Sequence, residues 1–361
     1  MAVTSIKEVA RQAGVSVGTV SNVLNRPDMV APARRQRVLD VIDKLGFVRN
    51  ESARQLRAGR SRTIGLVVID VANPFFTDVA RGVESITDES NSMLMLCNSG
   101  EDRVREARHL EMLEQLRVLG ILITPVDSND PLIDEIASRG TPVVLVDRRS
   151  KGRTRCSVGV NDVLGGRVAV EHLLAQGHRR IAFVGGPFSL RQVSERHQGA
   201  RGAIADQPGA PAAELSVVET TSLTVAAGRA AAVTIAELPA RRRPTAAFCG
   251  NDLVALGVLQ EMTRRGTRIP QDLALVGYDD IEFAGAAAVP LTSVRQPREA
   301  LGRTAGQLLL EEVEDGATHR HRHVVFDPEL VVRESSSLRI KRRSVPPPVS
   351  LKRASVTQAR G

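Results

Sequence analysis

Residues 6–25 read IKEVARQAGVSVGTVSNVLN, and this stretch decides the fold of the first part of the chain. Apolar residues recur at helical spacing in two groups, which are Ile6, Val9, Ala10 and Ala13, and then Val20, Val23 and Leu24. Gly14 supplies a turn between them, and Ser16 is a good N-cap for the second helix. Two short helices joined by a tight turn predict a helix-turn-helix. A plain helical hairpin within a larger fold is the alternative.

The outward residues of the second predicted helix are small or carry an amide. They are Val17, Gly18, Ser21 and Asn22. Such side chains permit close approach to base edges in a major groove. The helix is therefore a candidate DNA-reading element.

Charge is distributed unevenly along the 361 residues, whose net charge is +8. Residues 1–60 contain 11 Lys and Arg against 5 Asp and Glu, a net of +6. Residues 338–361 contain 7 Lys and Arg and no acid, so residues 61–337 carry a net of −5. A basic head on a mildly acidic body indicates a polyanionic partner.

Length and composition predict a globular protein of two or three domains, since 361 residues exceed one ordinary core and 42% are hydrophobic. Nothing resembles a signal peptide or a membrane span. The cysteines Cys97, Cys156 and Cys249 lie far apart with no CxxC pair. This spacing favours small buried hydrophobes in a reducing compartment over a zinc site or a disulfide framework. We therefore expect a cytoplasmic protein, associated with the nucleoid if it binds DNA.

Further signals divide the chain into segments. A third amphipathic helix is predicted over 34–45, and one or two helical turns over 50–57, too short and polar to be stable alone. Residues 338–361, with a triple proline and no apolar periodicity, predict a disordered tail. The expected organisation is a helix-turn-helix domain (1–49), a hinge helix and linker (50–62), a two-lobed core (63–337) and a disordered basic tail (338–361).

From residue 63 the pattern alternates between strands and helices. The predicted strands are 64–69, 93–97, 120–123, 143–147, 181–184, 216–218, 245–249 and 273–276. Helical patterns separate them, and the final segment, 291–333, contains one more helix and two short strands. Two successive βαβ series predict an α/β core of two doubly wound subdomains behind an all-α head.

Polar residues follow several of these strands. They are Asp70, Asn73, Asp147, Asn251, Asp252, Asp279 and Asp280. Ligands of open α/β sheets bind at the carboxyl ends of strands, so two facing lobes predict a cleft for a polar small molecule. Each of these residues is also a good helix N-cap, and the sequence leaves both roles open.

This combination resembles the LacI/GalR family of bacterial transcriptional regulators from about Ser5 to Ser336. The resemblance is carried by ordered stretches along the chain: 6–10 and 19–25, Asn50 with 53–56, Asn73-Pro74-Phe75-Phe76, 177–181 with 185–187, 249–252, 277–280, 290–297 and 330–335. It implies the helix-turn-helix head and a periplasmic-binding-protein-like core.

The resemblance also implies DNA-binding roles. Val17 and Gly18 would select operator bases, and Ser5, Ser16, Thr19, Ser21 and Asn25 would hold phosphates or position the helix. The family commonly has Arg where this chain has Asn22, and Asn pairs with adenine rather than guanine.

In the family the hinge segment folds when a dimer binds DNA, and a leucine wedges into a central minor-groove step. Leu56 matches that leucine, with Asn50, Ala53 and Arg54 beside it. Such a wedge unstacks and kinks the duplex. From the residues alone, Leu56 could instead belong to a dimer core.

For a small-molecule effector, the positions that match the family are Phe75, Phe76, Asp147, Arg148, Gln192, Arg196, Asn251, Asp279 and Gln296. Leu223 stands where many members place a ring that stacks on the ligand. An aliphatic side chain cannot supply that stacking platform.

These observations predict a sequence-specific transcriptional regulator, expected to be a repressor. It would bind a pseudo-palindromic operator as a homodimer, with a tetramer possible, under control of a sugar-like polar metabolite and without a cofactor. A regulator controlled by a protein partner, with a vestigial cleft, is the alternative.

An enzyme is disfavoured, because no P-loop, GxGxxG or nucleophile elbow is present. His319, His321 and His323 suggest a metal, but we expect an exposed hairpin without Cys or carboxylate partners and hence no metal site.

Overall fold

The computed structural model describes residues 5–47, 61–127, 129–148, 154–206 and 212–337. They form two compact units, a helical one within Met1–Ser61 and an α/β one within Arg62–Gly361. The hinge positions Asn50, Ala53, Arg54 and Leu56 and the tail 338–361 lie outside the described residues. The hinge helix and the disordered tail therefore stay predictions.

The described part of the helical unit contains α1 (Ile6–Ala13), α2 (Val17–Asn25), a short 3-10 helix (Pro27–Met29) and α3 (Pro32–Leu45). Its core is built from small aliphatic side chains, namely Val9, Ala10, Ala13, Val20, Val23, Val30 and Val38. This confirms the predicted helices. The third begins earlier than the periodicity indicated, because Pro32 occupies its first turn, where a missing N–H costs nothing.

The α/β unit alternates strands with helices along the chain. The strands are β1 (Thr63–Val68), β2 (Met93–Asn98), β3 (Gly120–Ile123), β4 (Val143–Val146), β5 (Ser157–Val160), β6 (Arg180–Gly185), β7 (Glu214–Glu219), β8 (Ala246–Cys249), β9 (Ala274–Asp279), β10 (Thr292–Arg295), β11 (His323–Phe326) and β12 (Glu329–Val331). The helices are α4 (Pro74–Glu89), α5 (Arg103–Gln115), α6 (Pro131–Ser138), α7 (Asp162–Ala175), α8 (Arg191–Ala205), α9 (Val225–Glu237), α10 (Asp252–Arg264), α11 (Glu282–Ala286) and α12 (Arg298–Asp315).

The strands form two six-stranded sheets of the same design. The first has the order β11-β5-β4-β3-β1-β2 and the second β12-β10-β9-β8-β6-β7. All neighbouring strands are parallel except β12, which runs antiparallel to β10. Helices cover both faces of the first sheet, since Leu66 and Val68 belong to one hydrophobic cluster and Val67 to another. Two doubly wound lobes result, as the sequence predicted.

The chain crosses between the lobes near residues 161, 296 and 327. It passes from β5 to α7, returns after β10 to α12, which packs on the first lobe against α4, and passes again from β11 to β12. Two of these crossings are joined, because Asn161 Nδ2 donates to Asp327 Oδ1 at 3.2 Å. Adjacent crossings of this kind allow the two lobes to rotate relative to each other.

Two details of the predicted core are wrong. The strand β5 was not expected, because its four residues include a polar Ser157 and Gly159 and give little pattern. The segment 291–333 holds three short strands rather than two, since β11 joins the first sheet while β10 and β12 join the second. Both errors concern short strands whose pairing depends on distant partners.

The expectation for the histidine segment is also wrong. His319 and His321 do not lie in an exposed hairpin without Cys or carboxylate partners, because Cys156 and Glu312 lie beside them. The His319 side chain is only 4% exposed. The sequence could not predict this, because Cys156 is about 160 positions away along the chain.

No helix among the described residues is both long enough and apolar enough to cross a membrane.

Close packing of α4 on α12 predicts a stability effect. A Cβ atom at Gly302 would overlap the Val79 carbonyl oxygen, a backbone atom that cannot move alone. We expect Gly302→Ala to destabilise the α/β unit by about 1–3 kcal/mol, the usual cost of overpacking. Thermal unfolding measures this. The matched control is Gly285→Ala on α11, where an added Cβ has ordinary contacts and the melting temperature should hold or rise. Equal melting temperatures for Gly302→Ala and the wild type would contradict the close approach.

Candidate functional site

The first candidate site is the surface of α2 in the helical unit. Ser16 caps this helix, because its Oγ accepts from the Thr19 backbone N–H at 3.1 Å. Ser5 caps α1 in the same way, accepting from Glu8 N–H at 3.3 Å. Gly14 adopts the left-handed conformation (φ +63°) that ends α1, and its N–H bonds back to that helix. Turn and caps thus set the start of α2.

The predicted DNA-reading residues lie on the open side of α2. Val17, Gly18 and Asn22 are exposed, whereas Val20 and Val23 on the opposite side are buried. No hydrogen bond of the Asn22 side chain is found among the described residues. Asn25 is already engaged, since its Nδ2 donates to the Ser21 carbonyl at 2.8 Å. The helix therefore offers one adaptable amide flanked by small residues.

The second candidate site is a cleft between the lobes of the α/β unit. Its lining residues are Ile69, Asp70, Asn73, Phe75, Phe76, Glu101, Asp147, Gln192, Arg196, Leu223, Asn251, Asp279 and Gln296. They follow the carboxyl ends of strands or lie at the start of the next helix, as doubly wound sheets require. Eight of the nine predicted effector positions lie here. Arg148 does not, because it lines a neighbouring pocket and donates to the Asp147 carbonyl at 2.7 Å.

Arg196 is a buried charge held on several sides. Its Nε donates to Asp162 Oδ1 at 2.8 Å, and a terminal nitrogen donates to the Gly250 carbonyl at 2.7 Å. Its guanidinium carbon lies 3.7 Å from the centre of the Tyr278 ring. Burial by itself lowers the pKa of Arg196, but the neighbouring groups together, with Asp162 the strongest of them, outweigh it and leave the pKa raised. Arg196 is thus a fixed cation in the cleft wall.

Asp279 faces Arg196 and connects the lobes. Its Oδ1 accepts from Gln296 Nε2 at 2.7 Å, and its Oδ2 accepts from Asn73 Nδ2 at 3.3 Å. Asn73 belongs to the first lobe and Asp279 to the second, so this bond spans the cleft. The backbone of Asp279 has φ +105°, which is costly for a side chain with a Cβ and is concentrated at functional sites. Burial raises its pKa, although Arg196 opposes the shift.

Asp147 occupies the matching position in the first lobe, directly after β4, and also has positive φ (+55°). Burial raises the pKa of Asp147 to about 7, with Arg148 acting in the opposite direction. Its Oδ1 has no hydrogen-bond partner among the described residues. The Oε1 atoms of Gln192 and Gln296 are buried and unpartnered there too. Buried acceptors without donors are rare, and here they line one cleft.

The asparagines of the cleft both cap helices and lie where a ligand could contact them. Asn251 caps α10 by accepting from Val254 N–H at 2.9 Å, and its Nδ2 donates to the Leu223 carbonyl at 3.1 Å. Asn73 caps α4 through its oxygen and reaches Asp279 through its nitrogen. Both residues therefore cap helices, and both line the cleft.

Asp252 and Asp280 also follow strands but are structural. Asp252 is completely buried and accepts from Ser293 Oγ at 2.6 Å. Asp280 pairs with Arg295 at 2.7 Å and with Arg333 at 2.6 Å. Neither lines the cleft.

Three polar residues of the site were not among the predicted effector positions. Asn73 and Asp70 were noted at strand ends but not assigned, and Glu101 was missed. Glu101 follows β2, so the same strand-end rule could have found it. Its pKa is raised by burial and then by the nearby charge of Asp70.

The cleft is narrow in this structure. The space open to the centre of a water molecule is only about 20 Å³. A sugar-sized molecule needs several hundred Å³. Binding therefore requires the lobes to separate or the lining side chains to move.

Two family models match the chain. The model described as "Bacterial regulatory proteins, lacI family" matches residues 5–50, and that described as "Periplasmic binding protein-like domain" matches residues 170–336.

Known proteins match along most of the chain. The HTH-type transcriptional repressor PurR of Photobacterium profundum is 35% identical, over 92% of this chain and 98% of that protein. The solved lac repressor dimer bound to operator and the anti-inducer ONPF has a TM-score of 0.78 at 27% identity, covering 93% of this chain and 99% of that one. The CelR–cellobiose complex has a TM-score of 0.66 at 32% identity, covering 92% and 99%. The chain therefore belongs to the LacI family and is a DNA-binding transcriptional repressor rather than an enzyme.

Proposed function

We propose that this repressor binds a pseudo-palindromic operator as a dimer, and that a small polar metabolite bound between its lobes controls that binding. The observation that carries the proposal is a set of buried oxygens on Asp147, Gln192 and Gln296 in a single cleft, which have no hydrogen-bond partner among the described residues. An operator-bound repressor would act at the nucleoid in the bacterial cytoplasm.

The chemistry of the cleft favours a ligand rich in hydrogen-bond donors. Each unpartnered oxygen accepts a hydrogen bond, and leaving such a group buried and unpaired costs about 1–3 kcal/mol. Hydroxyl or N–H groups of a ligand would remove that cost by donating to these oxygens. The positive charge of Arg196 would attract an anionic or oxygen-rich edge of the ligand. The CelR relative holds cellobiose. A sugar or related polar metabolite fits this donor and acceptor set best.

The apolar part of the cleft limits the ligand class. Phe75 and Phe76 are packed edge to face, with ring centroids 4.9 Å apart, and both are almost fully buried in the core of the first lobe. Leu223, which is half-buried, presents an aliphatic surface from the other lobe. The ligand would therefore be fixed by polar contacts more than by stacking on a flat ring face.

The chain crossings between the two lobes would couple ligand binding to DNA binding. A ligand seated between the lobes would replace the Asn73–Asp279 bond with contacts of its own and set the angle between the lobes. Gln296 lies at one of these crossings, so a ligand that contacts Gln296 would act directly on the angle between the lobes. In a dimer a change of lobe angle would alter the spacing of the two hinge segments, and ligand and operator binding would be linked reciprocally. Whether the ligand releases or strengthens operator binding depends on which lobe angle it favours.

Control by a protein partner is the second candidate, favoured by the narrowness of the cleft. It predicts that no small molecule stabilises the protein, whereas a partner protein changes its operator affinity. Ligand screening therefore separates the two candidates.

The first prediction concerns the ligand. A binding metabolite should raise the melting temperature of the wild type, and Gln192→Ala should weaken its binding about fivefold or more, the value of one lost hydrogen bond. Gln198→Ala is the matched control, because Gln198 is an exposed glutamine on the same helix. Equal affinity for the Gln192 and Gln198 variants would contradict the assigned role of Gln192. No shift with any sugar, polyol or nucleobase would contradict metabolite control.

The second prediction concerns Leu56 in the predicted hinge helix. Leu56→Ala should weaken binding to a duplex selected by the wild-type chain from a random DNA pool, because the wedge that kinks the duplex is lost. Its melting temperature should stay unchanged. Leu39→Ala, a truncation of an exposed leucine on α3, is the control and should bind as the wild type does. Loss of affinity in both variants, or in neither, would argue against the wedge.

The third prediction concerns base reading by α2. Asn22→Ala should relax the preference for adenine at one position in each half-site, since a bidentate pair contributes about 1–3 kcal/mol of discrimination. Asn25→Ala should lower affinity evenly across sequences, because that residue is expected to act on phosphates. Repeating the pool selection with each variant tests this. An unchanged sequence preference for Asn22→Ala would contradict direct reading.

A further inference from the structure

Four side chains with metal-binding atoms meet at the edge of the first sheet. They are Cys156, Glu312, His319 and His321, and their ligand atoms all lie within 4.8 Å of one another. Cys156 Sγ lies 3.2 Å from His319 Nε2 and 3.9 Å from His321 Nδ1. Glu312 Oε2 lies 3.8 Å from His321 Nδ1. We propose that these four residues, named here the edge cluster, bind a divalent cation of the Zn²⁺ type.

The spacing fits four-coordinate geometry. Zinc bonds of about 2.0–2.3 Å to nitrogen, oxygen and sulfur place the ligands of a tetrahedral site roughly 3.3–3.8 Å apart. The three distances given above scatter around this range. The remaining pairs of ligand atoms all lie within 4.8 Å, so a bound ion would draw them together by at most about 1.5 Å.

The backbone brings the ligands together from three elements. Cys156 immediately precedes β5, and Glu312 lies in the last turn of α12. The 3-10 helix Gly316–Thr318 then reverses the chain, so that His319 and His321 return beside Glu312 before β11 begins. The strand β11 pairs with β5, which fixes His321 and Cys156 at the same edge.

The surroundings support ligation. Asp315 Oδ2 lies 3.4 Å from His319 Nδ1, so it can hold that nitrogen as the donor and leave Nε2 facing the cluster. Metal-binding histidines generally have such a carboxylate partner. The Arg322 backbone N–H donates to Cys156 Sγ at 3.3 Å. Glu312 Oε2 is buried and has no hydrogen-bond partner among the described residues, as expected of an oxygen that coordinates a metal ion when the ion is bound.

Nearby cations do not occupy the site. Arg155 interacts electrostatically with Glu312, but its guanidinium forms an ion pair with Asp134. The side chain of Arg322 pairs in the same way with Glu311. Both positive charges are therefore partly offset by carboxylates outside the cluster.

The donor set selects the ion. Two imidazoles, one thiolate and one carboxylate suit zinc and its transition-metal neighbours, whereas calcium and magnesium require oxygen ligands. Four protein ligands leave no open position, which is typical of a structural site. Such an ion would fasten β11 and the end of α12 to β5. It would lie before the start of β5, at the opposite end of the sheet from the effector cleft, and would stabilise the first lobe without competing with the effector.

The test is a titration of the untagged full chain with Co²⁺, which reports its ligands by absorption. We expect one equivalent to bind with tetrahedral d–d bands and a thiolate-to-metal charge-transfer band, and Zn²⁺ to displace it and raise the melting temperature. Cys156→Ser should abolish the charge-transfer band. Glu312→Gln should weaken binding while keeping that band. Asp315→Asn should weaken binding about tenfold or more, as substitutions behind a metal-binding histidine do.

Two matched controls make the result specific. His323→Gln removes the third histidine of the segment, which bonds to Ser157 and is not part of the edge cluster. Cys97→Ser removes a more exposed thiol on β2. Both should bind Co²⁺ as the wild type does. If Cys156→Ser does not fold, as judged by circular dichroism, the Glu312 and Asp315 variants carry the test.

Three results would overturn the proposal. These are no stoichiometric binding by the wild type, equal loss of binding in Cys97→Ser or His323→Gln, and unchanged affinity in both Glu312→Gln and Asp315→Asn. Any of them would leave the edge cluster as a hydrogen-bonded network around a buried thiol. The outcome is independent of the effector proposal, because no residue of the edge cluster lines the effector cleft.

Discussion

The geometry of the cleft between the lobes depends on the contacts of one buried guanidinium, that of Arg196. It is bonded to Asp162 at the start of α7 and to the Gly250 carbonyl after β8, and it lies over Tyr278 in β9. Breaking a buried ion pair of this kind costs about 3–5 kcal/mol, because the remaining charge stays buried without compensation. Separating these elements would therefore destabilise the second lobe. The same packing brings Asp279 beside Arg196, with 3.9 Å between their charged atoms, and faces it toward the first lobe.

The cleft repeats one design in both lobes. The strands β4 and β9 hold the same place in their sheets, and each leads to an aspartate with positive φ, Asp147 in the first lobe and Asp279 in the second. Their environments differ, however. Asp279 accepts bonds from Gln296 and Asn73. Asp147 has an oxygen with no partner in the part of the chain that the structure describes, and its pKa is raised to about 7. The Asp279 carboxylate is thus engaged, in part by a donor from across the cleft, whereas Asp147 presents an available acceptor, so the two walls of the cleft are chemically distinct.

The helical unit meets a different constraint, since its reading surface has little bonding capacity. Val17 and Gly18 let the helix approach a groove closely, but neither side chain can form a hydrogen bond to a base. Among the described residues at this surface, Asn22 is exposed and carries both a donor and an acceptor. If the repressor binds as the proposed dimer, selectivity with so few contacts would come from summing over two half-sites and from the ease with which the operator deforms. We therefore expect the hinge helix, whose Leu56 would kink the operator, to contribute much of the selectivity.

The sequence by itself determined the local structure and most of the site. Helical spacing around Gly14, the Ser16 cap, and apolar runs ending in polar residues are short-range signals. They predicted both units and five strand-end residues of the cleft, whereas the remaining predicted cleft positions came from the family resemblance. Only the tertiary structure decided what depends on distant partners: the pairing of β5 with β11, the displacement of Arg148 from the cleft, and the meeting of Cys156 with His319. The reason is physical. Caps and periodicity act within a few residues, whereas a contact across 163 positions exists only after the sheet has assembled.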